Sequence, residues 1–103
     1  MAELTVVRWR DIPMQVVARE GKGSARAMLS ERFQEAVDAS AMVAGLIGSD
    51  DYTAQMAMDR RACGDDLEDE VRREAECLEA EWSDDLLRTT IRTGGLRESD
   101  RSS

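Results

Sequence analysis

The first twenty residues carry two short runs of strand formers, "LTVVRW" over 4–9 and "MQVVAR" over 14–19. Such runs separated by a few turn-compatible residues predict a β-hairpin over 4–19. Pro13 cannot donate to a ladder and biases Ile12 towards extended backbone, which places both beside the turn. In the second strand Met14, Val16 and Ala18 form the inward set, with Gln15, Val17 and Arg19 outside. The first strand leaves two inner pairs open, Leu4 with Val6 or Val7 with Trp9. Gly21 and Gly23 then break the extended run.

Beyond them the period becomes helical. Leu29, Phe33, Val37, Ala41 and Ala44 recur at steps of three and four, which predicts a helix over 25–46, capped by Ser24 and stopped by Gly45 and Gly48. Asp50 caps a shorter helix over 50–63, with Tyr52, Met56 and Ala57 on one side and Gly64 at its end. Leu67, Val71, Ala75, Leu78 and Trp82 make the seam of a third, over 66–81, whose opposite face is acidic. Ser83 followed by Asp84 and Asp85 opens a fourth, over 84–93, which stops at Gly94-Gly95. These elements predict an α+β fold, an N-terminal hairpin packed by three or four helices. They form one small domain over 1–96, and the polar segment 97–103 reads as a disordered tail.

Composition narrows the function classes. A chain of 103 residues with 42% hydrophobic and 35% charged residues is that of one folded, soluble domain. The net charge of −8 is unevenly placed. Six acids balance six bases over 1–48, whereas eleven acids face only Arg72 and Arg73 over 65–85. Such a chain is repelled by phosphate backbones and anionic lipid, so neither nucleic acid nor membrane is expected as a partner. The apolar run "AMVAGLI" falls well short of the roughly 20 residues that span a bilayer. With no basic segment joined to an apolar stretch at the N-terminus, a cytoplasmic location is expected.

Candidate chemistry is thin. There is no histidine, which removes the commonest general base and the commonest nitrogen ligand for zinc. Cys63 and Cys77 are not spaced as a C-x-x-C pair and are expected to be reduced packing residues. Asp50, Asp51 and Tyr52 lack the spaced acids of a calcium loop and read as capping. The run "GDDLEDE" points its carboxylates in different directions around a helix, so it cannot close a cage. No catalytic residue, metal or cofactor is expected. The remaining candidates are Arg8, Trp9, Arg10, Asp11 and Pro13, in the string "RWRDIP". On one reading Trp9 is buried beneath a helix while Arg10 and Asp11 cap the turn. On the other, an indole beside guanidinium groups presents a partner-binding patch, since Trp and Arg are enriched in interface hot spots. A two-stranded hairpin also leaves open edges, which predicts a homodimer or a partner complex.

The string "VVRWRDIPMQVVA", followed by "LSERFQEAVDASAMVAGLIGSDDY", resembles a known family. This is the small "virulence factor" domain, which stands alone in many proteobacteria and also lies near the end of the larger conserved virulence factor C. The later "CLEAEWSDDLLRTTIRTGG" is similar to the tail of the stand-alone members. The resemblance brings no catalytic motif. It implies an accessory role near methyltetrahydrofolate metabolism, with methylenetetrahydrofolate reductase or a cobalamin-dependent methyltransferase as partner. The expectation is therefore a non-catalytic protein-interaction module, an accessory or scaffolding subunit of one-carbon methyl transfer. The alternative is a small ligand-binding regulator or enzyme with a site between hairpin and first helix.

Overall fold

Alternating Leu and Val residues build β1 (Ala2–Trp9) and β2 (Ile12–Glu20), which pair antiparallel with Leu4 opposite Ala18 and Val6 opposite Val16. The computed structural model describes residues 2–46 and 50–96 of the chain. Near the turn the register slips: Val7 faces Gln15, but Arg8 faces Pro13. Met14 is thus the extra residue of a β-bulge, one of the few places where a sheet tolerates a proline beside it. Arg10 and Asp11 form the turn, and Arg10 takes a left-handed backbone with φ 52°. For a residue other than glycine that conformation costs roughly 1–2 kcal/mol, which its surroundings must offset.

The hairpin is the centre of a larger sheet. Glu20 pairs with Gly23 across a second tight turn, where Gly21 has φ 57°, and the chain returns as β3 (Gly23–Met28). The predicted first helix therefore begins too early, and Ser24 is a strand residue and not a cap. Ala, Arg and Met favour helices intrinsically, and this masks the period of two that leaves Arg26 and Met28 exposed while Ala25 and Ala27 turn inward. The helix itself, α1 (Glu31–Ala44), starts after Ser30. Its end is where the sequence places it, at Gly45 with φ 74°. The Leu46 amide reaches back to the Ala41 carbonyl at 2.9 Å, the closing bond of a Schellman turn.

A second correction falls on 50–63. Only α2 (Asp50–Ala54) is helical, and the chain then extends as β4 (Met56–Cys63) along the free edge of β1. Val6 faces Asp59 and Leu4 faces Arg61 in this pairing. "MAMDRRAC" contains no β-branched residue, so the open edge of β1 and not local propensity decides its state. The strand order is β3-β2-β1-β4. The caps placed on Gly48 and on the Asp50 side chain, and the tail 97–103, lie outside the described residues.

The last two helices match their expected spans. α3 (Leu67–Glu81) is capped by Asp66, which accepts from the Asp69 amide, and α4 (Asp84–Arg92) by Ser83, which accepts from the Leu86 amide. Strand alternation gives the sheet two faces. Leu4, Val6, Val16 and Ala18 meet Val71 of α3 in one cluster. Trp9 and Ile12 join Phe33, Val37 and Ala41 of α1, with Trp82 and Leu87, in another. Ala75 and Leu78 of α3 pack against both. Both inner pairs left open for β1, Leu4 with Val6 and Val7 with Trp9, are buried. No described helix is long and apolar enough to cross a membrane.

Candidate functional site

The RWRDIP turn is knotted into the domain by hydrogen bonds. The Trp9 indole is fully buried, and its Nε1 donates to the Tyr52 carbonyl at 2.9 Å. Its ring lies 5.5 Å from that of Tyr52. Arg10 donates through Nε to Gln55 Oε1 at 3.1 Å and through Nη1 to the Gly94 carbonyl at 2.9 Å. Its guanidinium carbon lies 5.3 Å from the centroid of the Trp9 ring. The Arg10 amide donates to the Gln55 carbonyl, and the Asp11 amide to that of Gly95. These bonds tie a turn near the start of the chain to the segment between α2 and β4 and to the end of α4, and they offset the left-handed backbone at Arg10.

Gly94 and Gly95 read from sequence only as a helix stop. Both have positive φ, 73° and 99°. A Cβ at Gly95 would stand 2.8 Å from the Trp9 ring, and one at Gly94 would stand 3.2 Å from Arg10 Nη1. The glycine pair is therefore the seat of the turn as well. No local pattern signals that contact, because it joins positions more than eighty residues apart.

The five candidate residues separate by exposure. Trp9 and Pro13 are buried, so the solvent-facing atoms of the group belong to Arg8, Arg10 and Asp11. Arg8, Asp11 and Pro13 border a groove of about 440 Å³ between α3 and the β1–β4 side of the sheet. Leu4, Val6, Leu78 and Trp82 line its apolar part. Ion pairs frame it. Arg8 holds Asp59 with two bonds, at 2.7 and 3.1 Å, and Arg61 reaches Glu74 of α3 at 2.9 Å. Arg8 also lies 3.6 Å from Asp11 and donates to the Arg10 carbonyl at 2.5 Å. Asp59 and Arg61 enter this site only because 56–63 is a strand, which is why the helical reading of that segment missed them. The space between the hairpin and α1 is filled by Phe33, Val37 and Ala41 against Trp9 and Ile12.

Among the described residues, Cys63 and Glu79 depart from ordinary behaviour. Burial, with Glu70 nearby, pushes the Cys63 thiol up, and so makes it a weaker source of thiolate. Cys77 is exposed on α3, and both cysteines are free. Burial also acts to raise Glu79, yet bonds from the Ser30 amide and hydroxyl, with Arg32 beside them, outweigh it and hold the carboxyl below its ordinary value. The Ser30 amide lies 2.6 Å and its hydroxyl 2.9 Å from the Glu79 carboxylate, which joins the start of α1 to α3. Glu79 is thus a clamp between helices.

Fold and groove together define a small α+β domain, in which the described residues form a four-stranded antiparallel sheet with four helices and a groove framed by ion pairs. The family described as "Virulence factor" matches residues 7–91, and the chain belongs to it. No curated protein and no solved structure matches the chain.

Proposed function

We propose that the domain is a non-catalytic protein-interaction module, an accessory or scaffolding subunit located in the cytoplasm. The observation that carries this reading is the groove beside the RWRDIP turn. It joins an apolar floor to arginines and carboxylates already held in position, so little side-chain freedom is lost when a partner docks. Arg8 and Asp11 offer the polar contacts, while Trp9, Arg10 and Pro13 hold them in place from behind. The raised Cys63 thiol and the absence of histidine agree with a role that needs no nucleophile or base.

As the family resemblance implies, the partner is an enzyme of methyltetrahydrofolate or cobalamin-dependent methyl transfer, such as methylenetetrahydrofolate reductase. The expectation of a homodimer or partner complex began from a lone hairpin. In the four-stranded sheet the open edges are those of β3 and β4, and β4 adjoins the groove. Copurification of the full chain from native cytosol is the test. A flavin- or cobalamin-containing enzyme should elute with it, and the chain alone should show no turnover. An isolated chain that retains a bound small molecule, with no protein partner recovered, would favour a ligand-binding regulator. The groove's volume lies in the range of small-molecule sites, which is the one observation favouring that second reading.

A further inference from the structure

We infer that the sheet face turned away from α3 is a docking surface for an amphipathic helix of a partner protein, one whose apolar stripe is flanked by acids on both sides. The inference rests on the interaction-module reading but concerns a different face from the groove. The register of the four strands sets out this face in rows. Arg26 of β3, Val17 of β2, Thr5 of β1 and Arg60 of β4 stand in one row. Met28, Gln15, Val7 and Met58 stand in the next. Arginine occupies both ends of the first row and methionine both ends of the second, with smaller groups between.

The charges on this face are unsatisfied. Among the described residues, Arg19, Arg26 and Arg60 have no carboxylate at ion-pair distance, and Arg26, on the edge strand, also borders the hollow between β3 and α3. The Arg60 guanidinium donates, among the described residues, only to Met58 Sδ, at 3.6 Å. Glu3 faces Arg19 across β1 and β2, yet the two form no ion pair. Three unpaired arginines on one face of a protein with net charge −8 mark a local reversal of sign. The Gln15 Oε1 atom is buried there without a hydrogen-bond partner among the described residues. Met28 and Met58 are 65% and 56% exposed, and methionine adapts readily to a docked apolar surface. A basin of about 610 Å³, lined by strand residues alone, lies over Thr5, Val7 and Val17.

Geometry selects a helix. Three strand spacings of about 4.8 Å put the Arg26 and Arg60 backbones roughly 14 Å apart. An α-helix with its side chains is about 10–12 Å across, so one lying along the strands fits between them. Its apolar stripe would cover Thr5, Val7 and Val17 while carboxylates on its flanks meet both arginines. The covered face of the same sheet already works this way. There α3 lays its apolar seam on Val6 and Val16, and its Glu74 takes Arg61, the neighbour of Arg60. A second copy of this chain is a poor occupant, because a two-fold pairing through this face sets arginines against arginines.

The test uses the full chain with methyl-labelled methionine and two synthetic helical peptides of about 18 residues, a Leu stripe flanked by Glu and the same stripe flanked by Lys. The Glu-flanked peptide should shift the Met28 and Met58 methyl resonances and bind more weakly as salt rises. The Arg26→Glu/Arg60→Glu double variant should lose at least tenfold in affinity for it and gain affinity for the Lys-flanked peptide. Arg61→Glu, in the groove, should leave this binding unchanged. Both substituted arginines are exposed, and if the double variant fails to melt cooperatively, the two peptides on the native chain still decide the matter. Equal affinity for the two peptides, or no shift at either methyl group at millimolar peptide, would overturn the proposal. So would tighter binding to phosphatidylserine vesicles than to the Glu-flanked peptide, which would make the face a membrane contact.

Discussion

The bare α-carbon of Gly95 packs against the indole of Trp9, where a Cβ would stand 2.8 Å from Cζ3. Two tryptophan neighbours in sequence, Arg8 and Arg10, are arranged around that contact: one turns to the groove and the other to the end of α4. Gly95→Ala should therefore cost more than an ordinary glycine substitution. It adds a clash with a buried ring to a backbone at φ 99° that side chains rarely adopt. The expected loss is about 2–4 kcal/mol, measured by denaturant unfolding. A variant within about 0.5 kcal/mol of the parent, the range of ordinary surface substitutions, would show that the clasp is loose.

Arg10 separates the two readings of the turn. Arg10→Ala removes the side-chain bonds to Gln55 and Gly94 and leaves the left-handed turn to its backbone bonds and the Arg8 contact. We expect a loss of about 1–3 kcal/mol of stability, with partner binding following the folded fraction. Binding that falls while the folded fraction is unchanged would assign Arg10 a direct contact as well.

Ser40 is completely buried on α1, and its hydroxyl has no hydrogen-bond partner among the described residues. A buried polar group without a partner carries its desolvation cost uncompensated. Ser40→Ala is accordingly expected to be neutral or to stabilise by up to about 1 kcal/mol, read as a raised thermal midpoint. A clear loss of stability would mean that the hydroxyl is satisfied.

The Glu79 clamp predicts a pH dependence with a definite sign. Its carboxyl is held below the ordinary value of 4.5, so the ionised form is favoured in the folded state. The stability it contributes is present above that value and is lost as pH falls through the lower folded-state value. Glu79→Gln should melt below the parent at neutral pH, and the gap should narrow below pH 4.5. A gap that is constant across this range would leave the clamp without an ionic part.

How much of this was legible follows from where each signal resides. α3 and α4 announce themselves locally, through an apolar seam and the Ser83 cap, and their bounds match the expectation to within about one residue. α1 has a clear stripe and a clear Gly45 stop, but alanine-rich "SARAM" reads as helix by propensity and draws the predicted start back to Ser24. β3 and β4 are strands because β2 and β1 offer them edges, and that is a tertiary cause with little local trace. Of the candidate site, Arg8, Asp11 and Pro13 were visible as an unusual string. Asp59, Arg61 and Glu74 were not, since only the β1–β4 register and the docking of α3 bring them together. The double duty of Gly94 and Gly95 was hidden for the same reason.

Contact through the groove beside the first turn is the proposed mode of action of this domain. The most direct measurement is the affinity of the copurifying enzyme for the native chain and for Arg61→Glu, with the folded fraction of each taken from circular dichroism. Arg61 is exposed at the groove rim, so its reversal should leave the fold intact. Affinity should fall by more than about 1 kcal/mol, the threshold for a contributing interface residue. Equal affinity of the two proteins, both fully folded, would contradict the groove as the site of contact.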